Sequence, residues 1–525
     1  LSFGGGGTSA PFGAAEEVRI LTLLSLAGKK SGRLHFEQKR RNLMALSTLW
    51  SKGGSSSSYS GGNGGTDHAR RWKRRSLVLT TAALAVRFTG NPLSAEPTYT
   101  MTGSDAIGTE SFDLGTNWPG GTAPAAGSDY DTGANQLRTG TSGSVTFAGD
   151  ALAVSSGGEL RYKGADVTIT NLILNGGTIA NGNGGSTFTL TGTASASIVS
   201  GFDANTVNDS RTINVNSSIS GSANIIVGDN DTTGGTGTII LSGDNNSFTG
   251  GFTVGGTVGS DTLNASNTTL QLTSTTGLGT GSLQLNGGTL ELDLASGSAL
   301  ASSNAMVVNG ATTINLAQPA STGGATYNFG SLSVGANLTI NELVGDYYYG
   351  TPTLSYSSVT LTNDVTVATS GSANTYPSPQ PTDPIFSSIT GNYTLTAAGP
   401  SDLEINGSAG NYYGLNVNGG TVIIDTASAL PTGALGLGGG TLNLNAPSGT
   451  VVSNGAATVT DSAPSTILFS QPGNTGGAGY TFGTLSIGSN LSIGVGGGYY
   501  YGGPSINFGS TTLTGDSTLT ISGQG

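Results

Sequence analysis

Two pairs of aspartates, Asp129 with Asp131 and Asp229 with Asp231, are the residues whose type and spacing point most directly to chemistry. Paired carboxylates can serve as acid and base, or as acid and nucleophile, in cleaving glycosidic bonds. Both pairs lie in Gly/Asn-rich turns, where aspartate is ordinary turn chemistry. Neither has an arginine or lysine beside it. A carbohydrate-active enzyme using paired carboxylates is therefore the alternative reading; the expectation is no catalytic residue. GDNDTTGG (228–235) also offers closely spaced oxygens of the kind calcium takes. It lacks the rest of a twelve-residue calcium loop and its closing glutamate. A solvated turn is expected there, with no metal and no cofactor. GGNGGTD (61–67) has the look of a calcium nonapeptide, but its aspartate comes one place late.

Composition removes the other chemistries. The 525-residue chain has no cysteine, so disulfides, thiol nucleophiles and Cys-ligated metals are excluded. Its two histidines, His35 and His68, both precede residue 96. If that front end is removed, Ser–His–Asp catalysis and His-based zinc sites go with it. Two tyrosine triplets remain. Tyr347, Tyr348 and Tyr349 stand in GDYYYGTP (345–352), and YYYGGP (499–504) follows 152 residues later. A feature repeated at one register is first a part of the architecture. The expectation is rings buried or stacked between coils, with Gly and Pro turning the chain.

The segments that hold these residues divide by charge. Of 18 Lys+Arg, 14 lie in residues 1–95. Residues 96–525 hold only Arg138, Arg161, Lys163 and Arg211 against 26 of the 30 acidic residues. Nucleic-acid binding needs cations facing phosphates, so that class is excluded for the body. Within 1–95, HARRWKRRS (68–76) leads into the apolar run 77–86 and a small-residue exit at Ala95. That is the pattern of an export signal behind a low-complexity extension. Arg87 and Leu93 depart from the ideal pattern.

From about residue 98 the text is strand and turn. DVTITNLILNGGTIA (166–180) and GSLQLNGGTLELDL (281–294) alternate apolar with polar residues around Asn-Gly-Gly corners. The corner phrase recurs at Asn175, Asn286 and Asn418, with variants at Val254 and Gly438. A longer duplication is clear. GGTLELDLASG (287–297) matches GGTLNLNAPSG (439–449), and TYNFGSLSVGANLTI (326–340) matches GYTFGTLSIGSNLSI (479–493). The divisions expected are 1–95, 96–236, 237–390 and 391–525, the last two being repeat units. Gly-cornered duplicated β-sequence marks a stacked architecture. About 20 coils at ~4.8 Å per step predict a rod of ~95 Å. The alternative is an array of β-sandwich modules, which would bury a Trp in each; the body has one, Trp118.

GTIILSGDNNSFTGGFTVGGT (237–257) resembles the autotransporter-associated β-strand repeat of bacterial passenger domains. Ile240, Ser242, Gly243, Asn245 or Asn246, Phe248, Thr249, Gly250, Val254 and Gly256 occupy the motif's places. GLGTGSLQLNGGTLEL (277–292) follows, and ALPTGALGLGGGTLNL (429–444) repeats it. NWPGGTAP (117–124) looks like the opening segment of such proteins. The resemblance covers most of residues 110–525. It implies a right-handed parallel β-helix outside a Gram-negative-type cell, secreted or at the outer-membrane surface, and no catalytic residues. A structural stalk or adhesin is the function it implies, with surface glycans or other cells as partners. No translocator barrel is present in these residues. The chain stops in a strand-and-corner pattern, TLTISGQG (518–525), without an anchor. The expectation is that the gene continues and that any membrane contact runs through that anchor.

Overall fold

The fold was obtained as a computed structural model. It describes residues 97–523 except 106–113, 185, 205–208, 232–233, 318–323, 344–351, 372–383, 408–410, 456, 471–476 and 497–502. The apolar run 77–86, Ala95 and both tyrosine triplets lie outside the described residues.

The body is a parallel β-helix. Its strands form one sheet of 39 members in which each pairs with the strands one coil before and one coil after it. All of that pairing between named strands is parallel, which excludes the sandwich array with its antiparallel sheets. Period-two alternation explains the cross-section. Inward residues stack on inward residues of the next coil, so one apolar position per strand becomes a continuous ladder. One such ladder runs Leu137, Leu160, Ile179, Phe202, Val227, Val254, Leu285, Val308, Val334 and Leu361. All ten side chains are buried. A second face carries Val167, Leu190, Val215, Leu241, Leu272, Leu292 and Leu316. Together the ladders form one core from Met101 to Ile493.

Coil length varies with its corners. The chain takes 19 residues from Leu160 to Ile179 and 31 from Val254 to Leu285. The described residues complete about 16 turns, roughly 75 Å at ~4.8 Å per turn. That is shorter than expected, because several coils exceed 25 residues. The Asn-Gly-Gly corners are built as their composition requires. Gly176, Gly287 and Gly420 have φ of 95°, 132° and 56°, a region that side chains disfavour.

The motif asparagine is Asn245. It is fully buried; its Oδ1 accepts the Ile219 N–H (2.7 Å) and its Nδ2 donates to Gly277 O (2.6 Å), tying three coils together. Asn246 is exposed. The only antiparallel strand pair among the described residues is a hairpin, Gly256–Val258 with Asp261–Leu263. Val258 and Leu263 fold back over Ile226 and cover that outer face.

The two copies do not point the same way. Leu437 is the sequence counterpart of Leu285. It stacks instead on the column of Gly288, Thr312, Leu338, Val367, Ala397 and Val417, which is the next face round. The repeat therefore closes a non-integral number of turns.

Candidate functional site

The strand Asp129–Asp131 carries its two carboxylates on either side of Tyr130. The Tyr130 ring is buried against Trp118 (centroids 4.9 Å apart, edge-on) and Phe147 (5.5 Å). Asp131 Oδ1 accepts the Gly133 N–H at 2.8 Å, closing a turn. Asp129 instead borders an open depression of about 480 Å³, with Asp150 and Asn171 on its rim. Asp150 Oδ1 is already engaged by the Gly127 N–H at 3.0 Å. The aspartates of this first pair thus have separate surroundings.

Asp229 and Asp231 are both buried. Asp229 Oδ1 accepts the N–H of Asp231 (2.6 Å), and the Asp229 backbone pairs with Asn264. One coil earlier, Asp203 Oδ1 accepts the Asn230 N–H (3.1 Å). These carboxylates hold loop backbone, which is the turn role their composition suggests. No group of three His, Asp or Glu able to hold a metal occurs among the described residues.

The fold also assembles clusters that spacing alone did not announce. All four cations of the body gather at one corner. Arg138 and Arg161 are register partners on adjacent rungs. Arg161 Nε donates to Glu159 (2.7 Å), Arg138 Nε to Gln136 (2.8 Å) and Arg211 Nη1 to Asn181 O (2.7 Å). Burial, reinforced by the three neighbouring arginines, holds the Lys163 ammonium below its ordinary pKa. Burial raises Asp105 from 3.8 to about 6, opposed by the Arg138 N–H and charge. The available signal was coil length: Arg161 follows Arg138 by 23 residues, one turn.

Two more carboxylate pairs lie on outward strands. Glu291 is raised by burial and by Asp293, which accepts Gln271 Nε2 at 2.8 Å. Glu404 is raised by burial, then by a hydrogen bond and charge from Asp425. Asn406 and Asn445 donate to the two carboxyls at 3.0 and 2.7 Å. Glycosidase pairs stand ~5–9.5 Å apart to admit the sugar or a water. Glu404 and Asp425 hydrogen-bond each other, so this pair is a proton-sharing contact between rungs.

Tyrosines serve the architecture elsewhere in the duplicated unit. Tyr327 and Tyr480, counterparts in the two copies, are buried and turn their hydroxyls to corner backbone. Tyr327 Oη accepts the Leu294 N–H (3.0 Å) and donates to Leu292 O (2.9 Å). Tyr480 Oη accepts the Ala446 N–H (3.2 Å). The triplets drew notice by their oddity, whereas these single tyrosines read as ordinary strand residues.

No family model matches the chain, and no curated protein or solved structure shows significant similarity to it.

Proposed function

We propose that the chain is an exported bacterial surface or secreted protein whose body is a stalk or adhesin-like display rod of the autotransporter-passenger type. The observation that carries this reading is the uninterrupted stack: ten rungs of one ladder follow each other without a break in register. Such a stack spends its apolar residues on length and offers its surface as Ser, Thr and Asn. The basic front end with the apolar run 77–86 supports export. The carboxylates described above are occupied with backbone and amide contacts, which favours the stalk over the enzyme.

Export is testable on the chain itself. Expressed in a Gram-negative host, it is expected to leave the cytoplasm and to begin near Glu96. N-terminal sequencing and fractionation read this. A cytoplasmic product, or an exported one that keeps Arg70–Arg75, would defeat the reading.

A further inference from the structure

We propose that the outward face of the strand Ala434–Gly438 is a binding groove for a neutral oligosaccharide. The inward residues of this strand, Leu435 and Leu437, are buried core. Its outward residues are Ala434, Gly436 and Gly438, the smallest available. The rung before it presents Asn416 and Asn418, and the rung after it presents Thr460 and Ser462. Ser462 is the extra residue of a bulge, since Gly438 pairs with Ala463. Small residues flanked by two taller rungs leave a trough of about 290 Å³. From Ala434 to Gly438 it is about 13 Å long.

The duplicated unit supplies an internal comparison. In GSLQLNGG (281–288) the inward Leu283 and Leu285 are kept, and the outward places hold Ser282, Gln284 and Asn286, all exposed. In GALGLGGG (433–440) each of these three side chains is shortened or removed. The backbone does not require it. Neither Gly436 nor Gly438 has a positive φ, and an added Cβ would meet only the movable amide tips of Asn416 and Asn418. The second copy is thus open where the first is filled.

At one end of the trough the Tyr413 ring lies over Gly433, where a Cβ would stand 2.7 Å from Cε2. Tyr413 is 51% exposed. On the preceding rung Tyr393, 38% exposed, sits in the irregular stretch between Gly391 and Thr394. Among the described tyrosines only these two are exposed. An aromatic face takes the C–H face of a sugar ring, while amides and hydroxyls pair with its hydroxyl groups. The lining carries no charge, so it selects neither an acidic nor a basic ligand. Both edges of the strand are already paired, so a peptide cannot join it by strand addition.

This inference deepens the adhesin reading and names its ligand class, but its test is independent of export. Purified chain is titrated with cellotetraose, maltotetraose, mannotriose and chitotriose, with sialylated and sulfated trisaccharides and an extended peptide alongside. At least one neutral sugar is expected to bind with Kd tighter than about 1 mM. The double variant Gly436→Gln/Gly438→Asn, which restores the sister copy's residues, is expected to weaken binding at least tenfold at unchanged Tm. Tyr413→Ala, at an exposed position, is expected to do the same. Binding retained by the filled variant, binding of charged sugars or peptide only, or no neutral sugar bound would each overturn the proposal. Failed export with intact sugar binding would defeat the display reading and leave the groove standing.

Discussion

Gly281→Ala is expected to destabilise the middle of the solenoid by about 4 kcal/mol or more, far beyond the usual cost of a surface change. Gly281 crosses directly over the preceding coil, and a Cβ there would overlap the carbonyl oxygen of Gly250. The obstruction is backbone, so no rotamer relieves it. Hydrogen bonds pin both sides: Thr280 N–H to Phe248 O (2.8 Å) and Phe252 N–H to Ser282 O (3.0 Å). Relief therefore requires the two coils to part and several rungs to lose their bonds. Coils contact only their neighbours, so the damage should be local. Hydrogen exchange is expected to speed up over residues 237–316 and to stay unchanged over 411–470. Gly103→Ala is the control; nothing lies within 4 Å of its Cβ position, and its effect should fall within about 0.5 kcal/mol. Equal stability of the two variants would show that the coils are not in this contact.

Stability of the body is expected to rise as pH falls from 7.5 to about 4.5, opposite to ordinary acid denaturation. Every carboxylate among the described residues with a resolved shift, namely Asp105, Glu291, Glu404 and Asp461, is raised, with burial the first cause. A raised folded pKa means that the folded state holds the proton more tightly than the unfolded chain. The stabilisation is then fully present below the unfolded pKa and lost as pH rises through the folded one. For Asp105 that window runs from 3.8 to about 6. The shift corresponds to about 3 kcal/mol at the first coils. Protonation also relieves repulsion in an acidic body with four cations. A Tm a few °C higher at pH 4.5 than at pH 7.5 is the expected reading. In Asp105→Asn the residues around Arg138, whose N–H donates to Asp105 Oδ2 (2.8 Å), should lose part of their pH dependence. A Tm that falls steadily below pH 6 would refute the assignment.

The alternation of apolar and polar residues dictated strands, and the Asn-Gly-Gly phrases dictated corners. Both are local: side chains of a strand alternate faces, and a tight corner needs positive φ whatever surrounds it. The duplication then dictated stacking, because like residues at one register bury each other only when coils lie parallel. Motif content had the same local character. Of Asn245 and Asn246, however, only coil-to-coil contact selected Asn245, whose two bonds reach strands before and after its own.

What the tertiary structure alone decided are the properties that depend on which residues fall one turn apart. Coil length is not fixed, so sequence distance does not convert to a rung. Arg138, Arg161, Lys163 and Arg211 read as scattered survivors in an acidic chain, yet they share one corner. Asp461 reads as a turn residue in TVTDSAPS, yet it stands 1% exposed between Leu437 and Ile487 in an apolar column, where its counterpart in the first copy is Val308. Its Oδ2 accepts the Ser489 N–H (3.1 Å) on the next coil. Gly436 and Gly438 read as corner-rich composition, and only their place between Asn416, Asn418 and the Thr460–Ser462 rung makes a trough of them. The alternation pattern determines which way a side chain points. Its neighbours are set by how many residues each coil spends on its corners, and that number is settled only when the coils close on one another.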